Sequence, residues 1–184
     1  MDEKRLFVAI ALPDAITDLL ASMDPHLPAV RWLRAEQIHL TLSFLGGVDS
    51  QREELLRTKL AAVRFTRFFL PIVGLGTFPA KGKPRVIWTG IGKGHPQLFH
   101  VYQRVQEAAL ATELEPDLRA WHPHITIARG REVAPHVVQP FLKKHADFDA
   151  GLVPIESFAL YSSRPGPLGS AYTRELEVRA TRSA

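Results

Sequence analysis

Ile38-His39-Leu40-Thr41-Leu42-Ser43-Phe44-Leu45 is the stretch on which the reading of this 184-residue chain turns. Ile38, Leu40, Leu42 and Phe44 are apolar, and His39, Thr41 and Ser43 fill the alternate positions, the period-two pattern of a half-buried strand. Strand side chains alternate between faces, so His39 and Thr41 are expected side by side on one face. Phe44 shares parity with Ile38 and Leu42, which places it in the core. The chain then writes the pattern again. In Trp121-His122-Pro123-His124-Ile125-Thr126-Ile127-Ala128-Arg129, His124 and Thr126 share one face while Ile125 and Ile127 share the other. One His-x-Thr strand reads as a structural histidine; two copies 85 positions apart (124 − 39) do not read as chance.

Working outward, Leu6 to Leu12 forms an apolar run that predicts a buried strand. Pro13 suits a first helical turn, and Ile16, Leu19, Leu20 and Met23 follow at helical spacing. Val30 to Leu33 predicts a short strand. Beyond the first motif, Ser50-Gln51-Arg52-Glu53 fits a capping box opening a helix with Leu56, Leu60 and Val63 inward. Phe68 to Leu75 predicts a strand, Thr77 to Pro84 a loop, and Arg85 to Ile91 a strand. A helix carrying Leu98, Val101, Tyr102, Val105 and Ala109 precedes the second motif, and its element ends at Glu115-Pro116. A short helix over Val137 to Lys144 and a hairpin of Ile155–Tyr161 with Tyr172–Val178, turning at Arg164 to Gly169, complete the chain. Strand, helix, His-x-Thr strand, helix, strand therefore describes residues 6–75 and again 86–161, which predicts a duplication with a site at its seam.

Composition narrows the chemistry. Hydrophobic residues make up 46 % of the chain, enough for a core, and residues 1–184 are expected to form one domain of two similar lobes. The absence of cysteine removes disulfides, thiolate nucleophiles and Cys-ligated metal clusters, and fits a cytoplasmic address. The charged start and the lack of a long apolar run predict neither a signal peptide nor a membrane span. Sixteen Arg against seven Lys, within a net charge of +4, lean toward anionic partners.

Two opposed histidines suit phosphodiester chemistry without a metal. Imidazole titrates near ~6.5, so one ring can take a proton from an attacking water while the other gives one to the departing oxygen. Each threonine hydroxyl, facing the same way, can donate to a non-bridging phosphate oxygen as charge develops there.

The segments His39-Leu40-Thr41-Leu42-Ser43-Phe44-Leu45-Gly46 and His122-Pro123-His124-Ile125-Thr126-Ile127-Ala128-Arg129 resemble the two signatures of the two-histidine (2H) phosphoesterases. The branch they resemble is that of the RNA 2′,3′-cyclic phosphodiesterases, also called 2′-5′ RNA ligases. Leu6-Phe7-Val8-Ala9-Ile10, Arg85-Val86-Ile87-Trp88 and Phe158-Ala159-Leu160-Tyr161-Ser162-Ser163 extend the likeness over nearly the whole chain. The resemblance implies an α+β, bilobed, duplicated fold, with two antiparallel sheets across a central cleft and helices outside. It implies hydrolysis of RNA 2′,3′-cyclic phosphate ends to 2′-phosphates, with reverse 2′-5′ ligation, without metal or cofactor. By position, His124 would be the base and His39 the acid, with Thr41 and Thr126 holding the phosphate. Arg129 resembles a phosphate contact, although strand parity sets it opposite His124 unless the strand bends. Phe44 matches a position that stacks on the terminal base. The partners implied are RNA ends or small cyclic-phosphate nucleotides, bound by a monomer.

Other readings stay open. His122, His124 and His39 could ligate a metal, though no nearby Asp or Glu supports such imidazoles. The chain could be a non-catalytic RNA-binding module, or act on linear 2′-5′ oligonucleotides or ADP-ribose cyclic phosphate. Lys81, Lys83 and Arg85 could guide an RNA backbone. His26, His95, His100, His136 and His145 read as surface or structural.

Overall fold

The structure, a computed structural model, describes residues 3–93, 95–115, 121–167 and 169–181. Its elements, in chain order, are β1 (Lys4–Ile10), α1 (Asp14–Ser22), β2 (Val30–Trp32), a 3-10 turn (Ala35–Gln37), β3 (Leu40–Val48), α2 (Ser50–Ala61) and β4 (Phe68–Phe78). There follow β5 (Val86–Gly90), α3 (Pro96–Leu110), β6 (Ile125–Gly130), α4 (Pro135–Lys144), β7 (Asp149–Ile155), β8 (Ser157–Arg164) and β9 (Ala171–Arg179). Every strand pair among these is antiparallel.

The two expected sheets are present as the halves of one nine-stranded sheet. One half runs β3-β1-β8-β9; the other runs β7-β4-β5-β6, with β2 also on β6. They join where β3 meets β6, at the single pair Leu40↔Ile125. Read outward from that seam, the halves correspond strand for strand: β3 with β6, β1 with β5, β8 with β4, and β9 with β7. Chain continuity does not follow this division. The second half is built by residues 68–155 plus β2, while β8 and β9 return to the first.

Both motif strands carry their buried residues away from the seam face. Leu40, Leu42, Ile125 and Ile127 are all at most 2 % exposed and belong to one apolar cluster with Leu20, Leu56, Val101 and Val138 of the helices. α3 packs against β3, and the Gln106 amide donates to the Leu42 carbonyl at 3.2 Å. Trp32 closes the cluster beside α4, edge-on to Phe141 at 5.1 Å, with its indole N–H on the Leu20 carbonyl.

Three local expectations are corrected. Asp49, not Ser50, caps α2, its carboxylate accepting the Arg52 N–H at 2.9 Å. β4 continues through Thr77 and Phe78, because the edge offered by β5 extends that far. The strand expected over Ile155–Tyr161 is two strands broken at Glu156, and β7 lies before it. The expected end at Glu115-Pro116 and the hairpin turn reach positions 116 and 168, which lie outside the described residues.

Candidate active site

The seam sets the two motifs side by side. Antiparallel register about Leu40↔Ile125 places His39 across from Thr126 and Thr41 across from His124. His39, Thr41, His124 and Thr126 all line one cleft of about 430 Å³. Arg129 and Phe44 line it too, against what regular alternation predicts.

A pair of matching irregularities explains both. On β3, Val8 pairs with Ser43 and Ala9 with Thr41, so Leu42 is an extra residue. On β6, Ile87 pairs with Ala128 and Trp88 with Thr126, so Ile127 is an extra residue. Each bulge follows its threonine and turns two successive residues inward: Leu42 and Ser43, Ile127 and Ala128, none more than 4 % exposed. Parity is therefore reversed beyond each bulge, as such insertions do. Phe44 and Arg129, five residues after their histidines, turn back to the cleft. Phe44 is 58 % exposed rather than core. Arg129 reaches the histidines' face through the bulge at Ile127.

Each histidine is held by main chain and aromatic rings. The His124 Nδ1 lies 2.6 Å from the His122 carbonyl. A carbonyl only accepts, so Nδ1 carries the proton and Nε2 is left bare. His39 likewise has the backbone of Gln37 as its hydrogen-bond partner. Phe7 and Tyr172 pack on the His39 ring at 4.9 and 5.4 Å, and Phe78 and Trp88 on His124 at 4.9 and 6.4 Å. Burial among these rings lowers the pKa of His39 to about 4, against the Gln37 bond, with Arg129 and His124 adding repulsion. Burial also lowers His124, against the His122 bond, with Arg129 and His122 acting in the same direction as burial.

The structure adds residues that the sequence did not single out. Arg5 lines the cleft with no ion-pair or hydrogen-bond partner among the described residues, whereas its neighbour Lys4 is tied to Glu53 at 3.0 Å. No pattern announces one charged residue ahead of an apolar run. Gln37, 2 % exposed, accepts the Arg34 N–H through Oε1 and donates to the Ser170 carbonyl at 2.9 Å, so it ties the β8–β9 turn to the segment carrying His39. Among the residues singled out, Lys83 is engaged with Glu132 at 2.7 Å. Among the described residues the cleft lining holds two imidazoles, two threonine hydroxyls and two guanidiniums, and no carboxylate. That is the donor set of an anion site. Among the described residues no group of three His, Cys, Asp or Glu side chains is arranged to hold a metal ion.

The sequence model of one family, described as LigT like phosphoesterase, matches residues 8–88 and again residues 92–172. The chain belongs to the LigT-like phosphoesterase family. Its double match follows the repeat of element order along the chain, and each half of the sheet draws strands from both matched segments. Among relatives, the chain is 33 % identical over 150 residues to an RNA 2′,3′-cyclic phosphodiesterase of Aeropyrum pernix, covering 80 % of this chain and 85 % of that one. It is 30 % identical over 179 residues to a protein of the same name from Archaeoglobus fulgidus, covering 95 % and 98 %. Among solved structures, apo LigT of E. coli superposes with a TM-score of 0.80 at 26 % identity, covering 98 % of this chain and 99 % of that one. The cleft lies where the two halves of the sheet meet. None of the described helices is long and apolar enough to cross a membrane.

Proposed function

We propose that this chain hydrolyses the 2′,3′-cyclic phosphate at RNA ends to a 2′-phosphate, by proton transfer between His39 and His124. The observation that carries the reading is the seam: both His-x-Thr motifs open into one cleft lined by arginine and, among the described residues, by no carboxylate. The relatives' names supply the substrate class, and LigT of E. coli has also been crystallised with 3′-AMP and with phosphate. The bare Nε2 of His124 takes a proton from water as its oxygen bonds to phosphorus. The P–O3′ bond breaks, and His39 hands a proton to the leaving 3′ oxygen. Thr41, Thr126 and Arg129 meet the charge on the non-bridging oxygens. Phe44 stacks on the terminal base. A 5′-hydroxyl in place of water gives a 2′-5′ linkage by the same steps. Both motifs come from one chain, which supports a monomer, and two imidazoles supply both proton transfers without a metal or cofactor.

As the acid, His39 must hold a proton. Its pKa of about 4 describes the empty cleft, and a bound phosphodiester anion raises it. The same depression favours a second reading, in which the more deeply buried His39 is the base and His124 the acid. RNA ending in a 2′,3′-cyclic phosphate, incubated in EDTA, tests the reaction: a 2′-phosphate product is expected. Activity lost on chelation and restored by metal would overturn the metal-free mechanism, and normal turnover by both His39→Ala and His124→Ala would overturn the site. A substrate whose 3′ leaving oxygen is replaced by sulfur separates the roles, because a thiolate leaves without an acid. The variant lacking the acid is rescued by it, and the variant lacking the base is not.

A further inference from the structure

Beside the cleft lies a second cavity of about 440 Å³, which shares Thr41, Phe44 and His124 with it and adds Phe78, Tyr102 and Trp121. Trp121 also lines a third cavity of about 440 Å³ with Phe99, His95 and Pro123. Tyr102 belongs to the inner cavity and Phe99 to the outer, so Trp121 is the wall between them. Resting on the phosphodiesterase reading, we propose that the single RNA strand behind the reacting phosphate follows this aromatic track, one base held in the inner cavity beside Phe44 and the next stacking on the exposed Phe99 ring in the outer one.

The track is built on one stripe of α3. Gln106, Tyr102 and Phe99 are spaced four and three residues apart on one helical face, and His95, immediately before the first turn, continues the line outward. At 1.5 Å per residue that stripe is about 16 Å long, room for more than one nucleotide. Its inner end is pinned to β3 by the Gln106–Leu42 bond. Trp121 is set before any ligand arrives: its indole N–H donates to the Thr41 carbonyl at 3.3 Å, and its ring lies parallel to Tyr102 at 3.9 Å. Phe44 and Phe99 stand 58 % and 52 % exposed along the track. Among the described residues, neither cavity lining contains a carboxylate that would repel a phosphate backbone.

Unpaired polar atoms gather at the same place. Among the described residues four buried side-chain N or O atoms have no hydrogen-bond partner. Ser43 Oγ and Gln106 Oε1 belong to residues of the inner lining and His95 Nε2 to one of the outer. Buried polar groups left unpaired are costly, and nucleobase edges offer both donors and acceptors. Aromatic faces with scattered polar groups, continuous with a phosphate site, fit single-stranded nucleic acid, since every base has a π-face. The alternative path over Lys81 and Lys83 offers charge without stacking.

Binding of mono-, di- and trinucleotides carrying a 2′-phosphate end, measured by calorimetry, reads the track without requiring turnover. The wild-type chain is expected to bind the trinucleotide roughly ten-fold or more tighter than the mononucleotide, in line with stacking at about 1–3 kcal/mol per base. Phe99→Ala is expected to lose about five-fold or more of that gain with mononucleotide affinity unchanged, and Phe99→Trp to restore it. A flat length dependence overturns the track. So does a gain that survives Phe99→Ala, or one lost in Lys81→Ser with Lys83→Ser instead. Equal weakening of all three ligands by Phe99→Ala would mark a merely structural role. Hydrolysis of the matching cyclic-phosphate oligonucleotides is scored separately: its absence overturns the proposed reaction, while the binding ratio still decides the track.

Discussion

Each histidine of the cleft is an aromatic-walled imidazole whose charged form is disfavoured, and this makes a prediction for stability. His39 titrates near ~6.5 in the unfolded chain and at about 4 in the folded one. Between those values the unfolded chain binds the extra proton, so stability falls as pH falls from 6.5 toward 4, by up to about 1.4 kcal/mol per pH unit for this group. His124, lowered in the same direction, adds to the trend. Urea midpoints taken from pH 7 to pH 4.5 are expected to fall less steeply for His39→Asn than for the wild-type chain. Parallel slopes would show that the ring is already solvated. A bound phosphate analogue should shrink the slope, because an anion restores the charged form. His and Thr were legible from residue identity alone, since their chemistry is local. The depth of the pKa shift was not, because Phe7, Phe78, Trp88 and Tyr172 come from four other strands.

At the scale of elements, alternation read the motif strands correctly up to each threonine and failed just beyond it. A period-two pattern has no symbol for an extra residue, and Leu42 and Ile127 are apolar like their neighbours. The two bulges are what turn one motif repeat into unlike ends, an exposed phenyl ring at Phe44 and a guanidinium at Arg129. β7 was missed for a related reason. It opens on Asp149 and includes Gly151 and Pro154, residues that read as a turn and survive here on an edge strand. The support behind His124 can be tested at this scale. The Trp88 ring lies directly over Gly76, where an added Cβ would run into its six-membered ring. Gly76→Ala is expected to destabilise by about 1–3 kcal/mol and to lower turnover, as Trp88 and Phe78 shift against His124. Asp49→Ala, which removes the α2 cap on the far side of the strand from the cleft, is expected to cost about 1 kcal/mol with turnover unchanged. Thermal melts and turnover rates on the same samples separate the two: equal activity loss in both variants would trace it to stability alone.

Over the whole molecule, the duplication that was legible as element order is tied together in a way that order does not reveal. β4 follows the first motif yet pairs in the second half, and β8 follows the second motif yet pairs with β1 in the first. Which lobe a strand joins is decided by distant pairing, and no local pattern encodes it. The chain thus crosses between the halves before β4 and again after β7, while the strand pairing that joins them is Leu40↔Ile125. One apolar cluster also runs through both, joining Val8 and Leu160 to Leu70, Ile87 and Val153. The expectation that residues 1–184 act as one bilobed domain thus becomes measurable. Leu160, 0 % exposed, lies on β8 in the first half, whereas Trp32, Trp88 and Trp121 report on the second half and its approach to the cleft. Leu160→Ala should lower stability by about 2–5 kcal/mol. In a single cooperative unit, the tryptophan fluorescence transition in urea moves by the same amount as the far-ultraviolet circular dichroism transition. If fluorescence stays at the wild-type midpoint while circular dichroism splits into two steps, the lobes fold independently. Catalysis would then depend on their docking, because His39 and His124 meet only where Leu40 pairs with Ile125.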